Sequence, residues 1–285
     1  MSEAVKNMRI QSVNADGQVA KDDWITVEEP MEIRVVTGPP DKRRGRGVSI
    51  TMRTPGQDHE LAIGFLVAEG IIADRAQIQN VESVGTKTSD ASNPSDDEAP
   101  NTVRVELTPE TEVNYEDLRR HFYSNSSCGV CGKASLQALE YQNLKPVEST
   151  LTVDSQLINQ LPNLLRQNQK VFPLTGGIHA AALFDASGEL VTICEDVGRH
   201  NAVDKLIGSH FLAGTFPMQQ QILVVSARAS FELLQKSLSA QIPIFVAVGA
   251  PSTLAVDLAT QFNVTLVGFA STQRFNIYSS PKRIR

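Results

Sequence analysis

Apolar positions fall into two regimes along the chain. In the last third, short unbroken apolar runs alternate with amphipathic stretches. Residues 222–225, 244–248 and 264–269 read as strands, and 230–240 and 253–262 as helices. Apolar strands joined by helices predict right-handed crossovers and a parallel sheet. Upstream the pattern is more mixed. Residues 178–184 and 190–194 flank the turn Asp185-Ala186-Ser187-Gly188 and predict a β-hairpin. Asp154 is a candidate N-cap ahead of Leu157, Ile158, Leu161, Leu164 and Leu165, with Pro162 implying a kink. A helix is predicted over 58–68 with Gly70 as its cap, and strands over 46–53 and 103–107. Further helices are predicted over 115–122 and 134–141, and a short one over 202–207 closed by Gly208.

Composition narrows the classes. With 285 residues the chain makes one large or two small domains. Its net charge of −6 argues against a general nucleic-acid binder. Three cysteines, Cys128, Cys131 and Cys194, are too few and odd for a secreted disulfide framework. The first residues lack the apolar centre of a signal peptide. The uncharged run 237–256 has the length of a membrane span, but Pro243, Gly249 and Pro251 interrupt it, so it reads as strand, turn and helix start. The expectation is a cytoplasmic α/β protein with no membrane segment. Residues 85–101, rich in Ser, Asp, Asn and Pro, read as an exposed acidic loop between two strands. A smaller α+β part is expected over 1–125 and an α/β domain over 126–285.

Three constellations carry candidate chemistry. Cys128-Gly129-Val130-Cys131 sits in a polar, Gly-rich loop where a helix begins and where Lys133 favours a thiolate. Disulfide redox, metal ligation and persulfide handling all fit a CxxC pair. Zinc wants four ligands, and only Cys194 with His179 or His200 would be at hand to complete a set. A zinc nucleobase deaminase needs His-x-Glu upstream, and His59-Glu60 has the wrong spacing. The second constellation is 175–179 with 195–201. There Asp196 and Arg199 are candidates for a simple ion pair, and His200 for a contact at the helix start. The third is the loops after the three parallel strands: 226–230, 249–253 and 270–274. In an open parallel sheet they share the carboxyl edge, where ligands bind. Arg228 and Arg274 can grip phosphate in a fork. No GxGxxG or Walker A sequence is present.

These residues resemble one family. SSCGVCGKASL at 126–136, LAIGFLVAEGII at 61–72, EDVGRHNAVDK at 195–205 and VSARAS at 225–230 are similar to the FdhD sulfur carrier proteins, accessory factors of formate dehydrogenase. The departures are the basic segment 37–46, the acidic loop, and Ser271, Thr272 and Gln273. The resemblance implies a cytidine-deaminase-like α/β fold without zinc chemistry and with no permanent metal. It implies a sulfurtransferase-type carrier that takes persulfide sulfur from a cysteine desulfurase. The sulfur then passes to the molybdenum or tungsten bis-guanine-dinucleotide cofactor before insertion into the formate dehydrogenase catalytic subunit. Cys128 matches the persulfide-carrying cysteine and Cys131 its loop companion. Phe269, Ala270, Ser271, Thr272, Gln273 and Arg274 match the cofactor segment, with Ser226 and Arg228 added from the edge loops. A homodimer is implied. The alternative is a cofactor-binding chaperone in which the CxxC pair is a redox or zinc latch.

Overall fold

A computed structural model describes residues 3–15, 17–85, 101–113 and 144–285. The chain opens with a two-stranded antiparallel ribbon, β1 (Val5–Asn14) and β2 (Gly17–Thr26). Next comes β3 (Glu29–Thr37), in which Met31, Ile33 and Val35 alternate into the core. β3 pairs antiparallel with β4 (Arg44–Arg53) and parallel with β6 (Thr102–Leu107); β6 pairs antiparallel with β5 (Ile78–Val84). The sheet order is β4-β3-β6-β5. Most of the acidic segment 85–101, between β5 and β6 in sequence, lies outside the described residues. Between β4 and β5 lies α1 (Asp58–Ala68), which buries Leu61, Ala62, Ile63 and Leu66.

The second sheet has six strands in the order β12-β11-β10-β9-β7-β8. β9 (Ile222–Val225), β10 (Ile244–Ala247) and β11 (Thr265–Gly268) run parallel. All their residues are buried, which explains their unbroken apolar sequence. The crossovers are α5 (Phe231–Ser239) and α6 (Thr253–Gln261), with Ser230 and Ser252 as N-caps. The uncharged run thus resolves into the end of α5, β10 and the start of α6. No helix among the described residues is long and apolar enough to cross a membrane. β7 (His179–Phe184) and β8 (Leu190–Asp196) form the expected hairpin, and β7 lies antiparallel to β9. β12 (Asn276–Ser279) closes the other side.

One face of this sheet carries α2 (Ser155–Asn168), through Ile158, Leu161 and Leu165 against Ala182, Ile222 and Val246. Pro162 sits inside α2, which remains one continuous element; a four-residue helix, α3 (Phe172–Thr175), follows. The other face packs on α5, α6 and α4 (Arg199–Ala213). This corrects the short helix predicted over 202–207. Gly208 does not end α4; Gly214 does, in the left-handed region. Gly208 instead marks a crossing of α4 over α1, where it faces Gly64. A Cβ on Gly208 would stand 2.7 Å from the Gly64 nitrogen, and a Cβ on Gly64 would stand 2.9 Å from the Gly208 nitrogen. Glycine serves both caps and close backbone approach, and here the second use decides. The layers therefore run four-stranded sheet, α1 and α4, six-stranded sheet, α2, with one apolar cluster spanning both sheets.

Candidate functional site

The order of the large sheet brings two of the three constellations to one edge. Because β7 and β8 run antiparallel to each other, the start of β7 and the end of β8 lie beside the carboxyl ends of β9, β10 and β11. Gly177, His179, Val197, Gly198, Ser226, Arg228, Gly249 and Phe269 follow from these strand ends. The loops are zipped together by backbone bonds: Gly249 N donates to Ala227 O (3.1 Å), Ser252 N to Ala229 O (3.0 Å) and Phe269 N to Gly249 O (3.1 Å). Gly249 is required, since a Cβ there would lie 3.0 Å from Arg228 Cα.

Within this edge Ser226 is bound to the start of β7. Its Oγ accepts from Ala180 N (3.0 Å), and its N donates to Ala180 O (3.0 Å). His179 Nδ1 lies 3.4 Å from the same Oγ. Burial, then the neighbouring Arg199 and His200 charges, hold the His179 imidazole below its usual pKa. The segment 270–274 folds on itself: Ser271 Oγ accepts from Arg274 N (3.2 Å) and donates to Arg274 O (2.9 Å). That leaves Thr272, Gln273 and the Arg274 side chain facing solvent, next to Phe269, which is 42% exposed and held at φ 53°. A bulky residue in the left-handed region is strained, and such strain concentrates at functional sites.

The charges of 195–205 separate into structural and free groups. Asp196 does not pair with Arg199, contrary to the sequence expectation. Its partner is Lys205, at 2.7 Å and fully buried; Asp196 ends β8 and Lys205 stands in the second turn of α4. Asp196 also accepts from Thr54 N (3.1 Å), Gly198 N (2.8 Å) and Asn201 Nδ2 (2.9 Å), while Lys205 donates to Thr54 O (2.8 Å). Asn201 Nδ2 further donates to Met52 O, and Thr51 Oγ1 to Asn201 Oδ1. This network fastens the end of β4 to the start of α4. His200 meets Glu232 at 2.8 Å. Glu195 accepts from the backbone N–H groups of Lys170, Val171 and Phe172 and from Gln169 Nε2. Among the described residues no carboxylate stands at ion-pair distance from Arg166, Arg199, Arg228 or Arg274, although the His200 hydrogen bond, with help from the Arg199 charge, holds the Glu232 carboxyl below its usual range.

Cys128 and Cys131 lie outside the described residues, as do the helices predicted over 115–122 and 134–141. Cys194 points into the core, where burial pushes its thiol up to about 12, so it is an inert packing residue. Among the described residues no group of three or more His, Cys, Asp and Glu side chains gathers as a metal site. Sequence reasoning missed Arg166 and Phe172 as parts of this edge, and it placed Glu195 in the second constellation without its role as an acceptor for Lys170, Val171 and Phe172. Arg166 meets Phe172 only through the bend between α2 and α3, and Glu195 reaches back more than twenty residues, so neither contact has a local signal.

Comparison with known proteins is decisive for kinship. The profile of the FdhD/NarQ family matches residues 27–285. The chain belongs to that family. It is 45% identical over 272 residues to the sulfur carrier protein FdhD of Streptomyces coelicolor, covering 94% of this chain and 92% of that one. It is 43% identical to the protein of the same name from Mycobacterium tuberculosis, over the whole of both chains. Among solved structures it matches a chain from Desulfotalea psychrophila put forward as a formate dehydrogenase accessory protein. That match has a TM-score of 0.73 and 21% identity, and covers 99% of this chain and 100% of the other. The two chains share a mixed α/β fold. The family match begins at the end of the β1–β2 ribbon, which lies outside it.

Proposed function

We propose that the protein is a sulfur carrier serving the maturation of formate dehydrogenase. Cys128 accepts persulfide sulfur from a cysteine desulfurase, and the sulfur passes to a molybdenum bis(molybdopterin guanine dinucleotide) cofactor bound as client, before that cofactor enters the formate dehydrogenase catalytic subunit. The supporting observation is the sheet edge whose Arg228 and Arg274 have no carboxylate partner among the described residues, in a chain so similar over its length to sulfur carrier proteins. A cofactor rich in phosphate suits that edge. Arg228 and Arg274 offer fork-shaped donors to its diphosphates, and Phe269 to Arg274 with Ser226 offer the neighbouring contacts. The protein would act in the cytoplasm, as a homodimer.

The sulfur steps balance as thiolate exchanges. The Cys128 thiolate attacks the terminal sulfur of the desulfurase persulfide. The S–S bond there breaks, the desulfurase cysteine leaves as a thiolate, and Cys128 now carries the persulfide. On release, the Cys131 thiolate attacks the Cys128 sulfur, and hydrosulfide departs with the bonding pair towards the client. A Cys128–Cys131 disulfide remains, which a thiol reductant resets.

The test is mass spectrometry of the intact protein after incubation with a cysteine desulfurase and cysteine. A reductant-labile gain of one sulfur atom that disappears in Cys128→Ala supports the carrier reading. No gain in the wild type, or a Cys128→Ala variant that still restores formate dehydrogenase activity, replaces it with a cofactor chaperone.

A further inference from the structure

A cleft of about 560 Å³ opens beside the same edge, between the end of α2, α3 and the start of β7. Its size lies within the roughly 300–1,000 Å³ of small-molecule sites. Of the residues singled out for the cofactor, only Ser226 lines it. Leu165, Ile178, Val197 and Val248 make apolar walls, the composition that suits a flat ring. At its base sit His179 and Ser226. The Ser226 oxygen accepts from Ala180 N and lies 3.4 Å from His179 Nδ1, so the two side chains form one polar pair. A neutral His179 ring offers one donor and one acceptor.

The rim carries the most specific feature. The Arg166 guanidinium carbon lies over the Phe172 ring, 3.4 Å from its centroid. The contact holds the guanidinium at the ring, and among the described residues no acceptor meets its N–H groups. A guanidinium held on an aromatic ring, with no acceptor among the described residues, keeps its N–H fork for an anion and loses less rotamer freedom on binding one. Phe172 is itself anchored, because Glu195 accepts its backbone N–H and those of the two residues before it. Opposite, Gly176 turns at φ 64° into Gly177, so bare backbone borders the cleft.

We propose that this cleft binds a planar heterocycle bearing a phosphate, with the ring between the apolar walls, its polar edge on His179 and Ser226, and the phosphate on Arg166. The proposal rests on the cofactor reading above only in taking a guanine nucleotide as the first ligand to try. It adds a second contact region, separate from 269–274, for one end of the client.

The experiment is calorimetric titration of the full chain with GMP, guanosine and ribose 5-phosphate. Wild type is compared with Arg166→Ala, Arg166→Lys, His179→Ala and Arg274→Ala. GMP should bind wild type better than either fragment. Arg166→Ala should weaken GMP about tenfold or more, the share of a charge-assisted bond, and leave guanosine unchanged. Arg166→Lys should fall between, and His179→Ala should weaken GMP and guanosine alike. Arg166 is exposed, so its variants test binding rather than folding. If Arg166→Ala weakens guanosine as much as GMP, or changes GMP by less than about twofold, the proposal falls. GMP binding that is lost in Arg274→Ala but kept in Arg166→Ala refutes the cleft while leaving the cofactor reading intact. If GMP does not bind the wild type, the cleft assignment is wrong, and the sulfur gain on Cys128 decides the carrier reading separately.

Discussion

Replacing Gly208 by Ala should cost stability despite placing a better helix former inside a helix. Alanine is favoured over glycine in a helix interior by about 1 kcal/mol. Against this stands the α1–α4 crossing. The new Cβ would lie 2.7 Å from the Gly64 nitrogen and be driven into the Glu60 carbonyl. Both obstacles are backbone, so no rotamer change relieves them. The helices must separate, and α1 is packed through Leu61, Ile63 and Leu66 into the cluster that spans both sheets. Overpacking of a well-filled interior costs about 1–3 kcal/mol, sometimes more. With rigid obstacles the upper end applies, so after the helix gain a net loss of about 2 kcal/mol is expected. For a chain of 285 residues that is roughly 3–4 °C in Tm. Scanning calorimetry of Gly208→Ala beside Gly45→Ala provides the measurement. At Gly45 a Cβ meets nothing closer than Val36 Cγ2 at 3.6 Å, so little change is expected. A Gly208→Ala protein melting at or above the wild-type temperature would refute the steric argument.

Three further outcomes follow from the edge. Lys205→Met leaves Asp196 buried without its cation and should cost about 3–5 kcal/mol in urea unfolding; a loss under about 1 kcal/mol would show that the hydrogen bonds to Asp196 suffice alone. Glu195→Ala strips the acceptor from three backbone N–H groups, for about 1–3 kcal/mol, and should loosen Phe172 enough to weaken GMP binding. The His179 ring should titrate below 6.5 by NMR, and Arg199→Ala should raise the midpoint while burial keeps it depressed. Since its folded pKa lies below the unfolded one, His179 contributes stability that is present above pH 6.5 and lost as pH falls through the folded value. A wild-type midpoint at or above 6.5 would contradict this.

The large sheet was legible because its strands are buried on both faces. Ile222–Val225 and Ile244–Ala247 are unbroken apolar runs ended by small-residue loops, a pattern with few alternative readings. Convergence of the edge loops also followed from the parallel order. The β1–β2 ribbon was not legible: Met8, Val13, Val19 and Ile25 are exposed, so no buried face imposes a period. β3 carried a readable alternation in Met31, Ile33 and Val35 that the sequence analysis passed over. The Asp196 pairing failed for a different reason. Arg199 is nearer in sequence, but the helix turns Lys205 inward to the carboxylate and leaves Arg199 outside. Similarly, the Arg166–Phe172 stack depends on how the chain bends between α2 and α3, which no spacing rule encodes.

The β7–β8 hairpin divides the molecule into a working end and a handle. Its open end delivers His179 and Val197 to the loops, while its closed turn, with Asp185 Oδ1 accepting from Ser187 N (2.8 Å) and Glu189 N (3.0 Å), lies at the far end of the sheet. Ser187 is exposed there. A fluorophore on a cysteine at that position would sit the length of a six-residue strand from the candidate site, about 20 Å. It would report opening of the sheet without competing for ligand, and its distance to a labelled nucleotide would measure directly which part of the edge the nucleotide occupies.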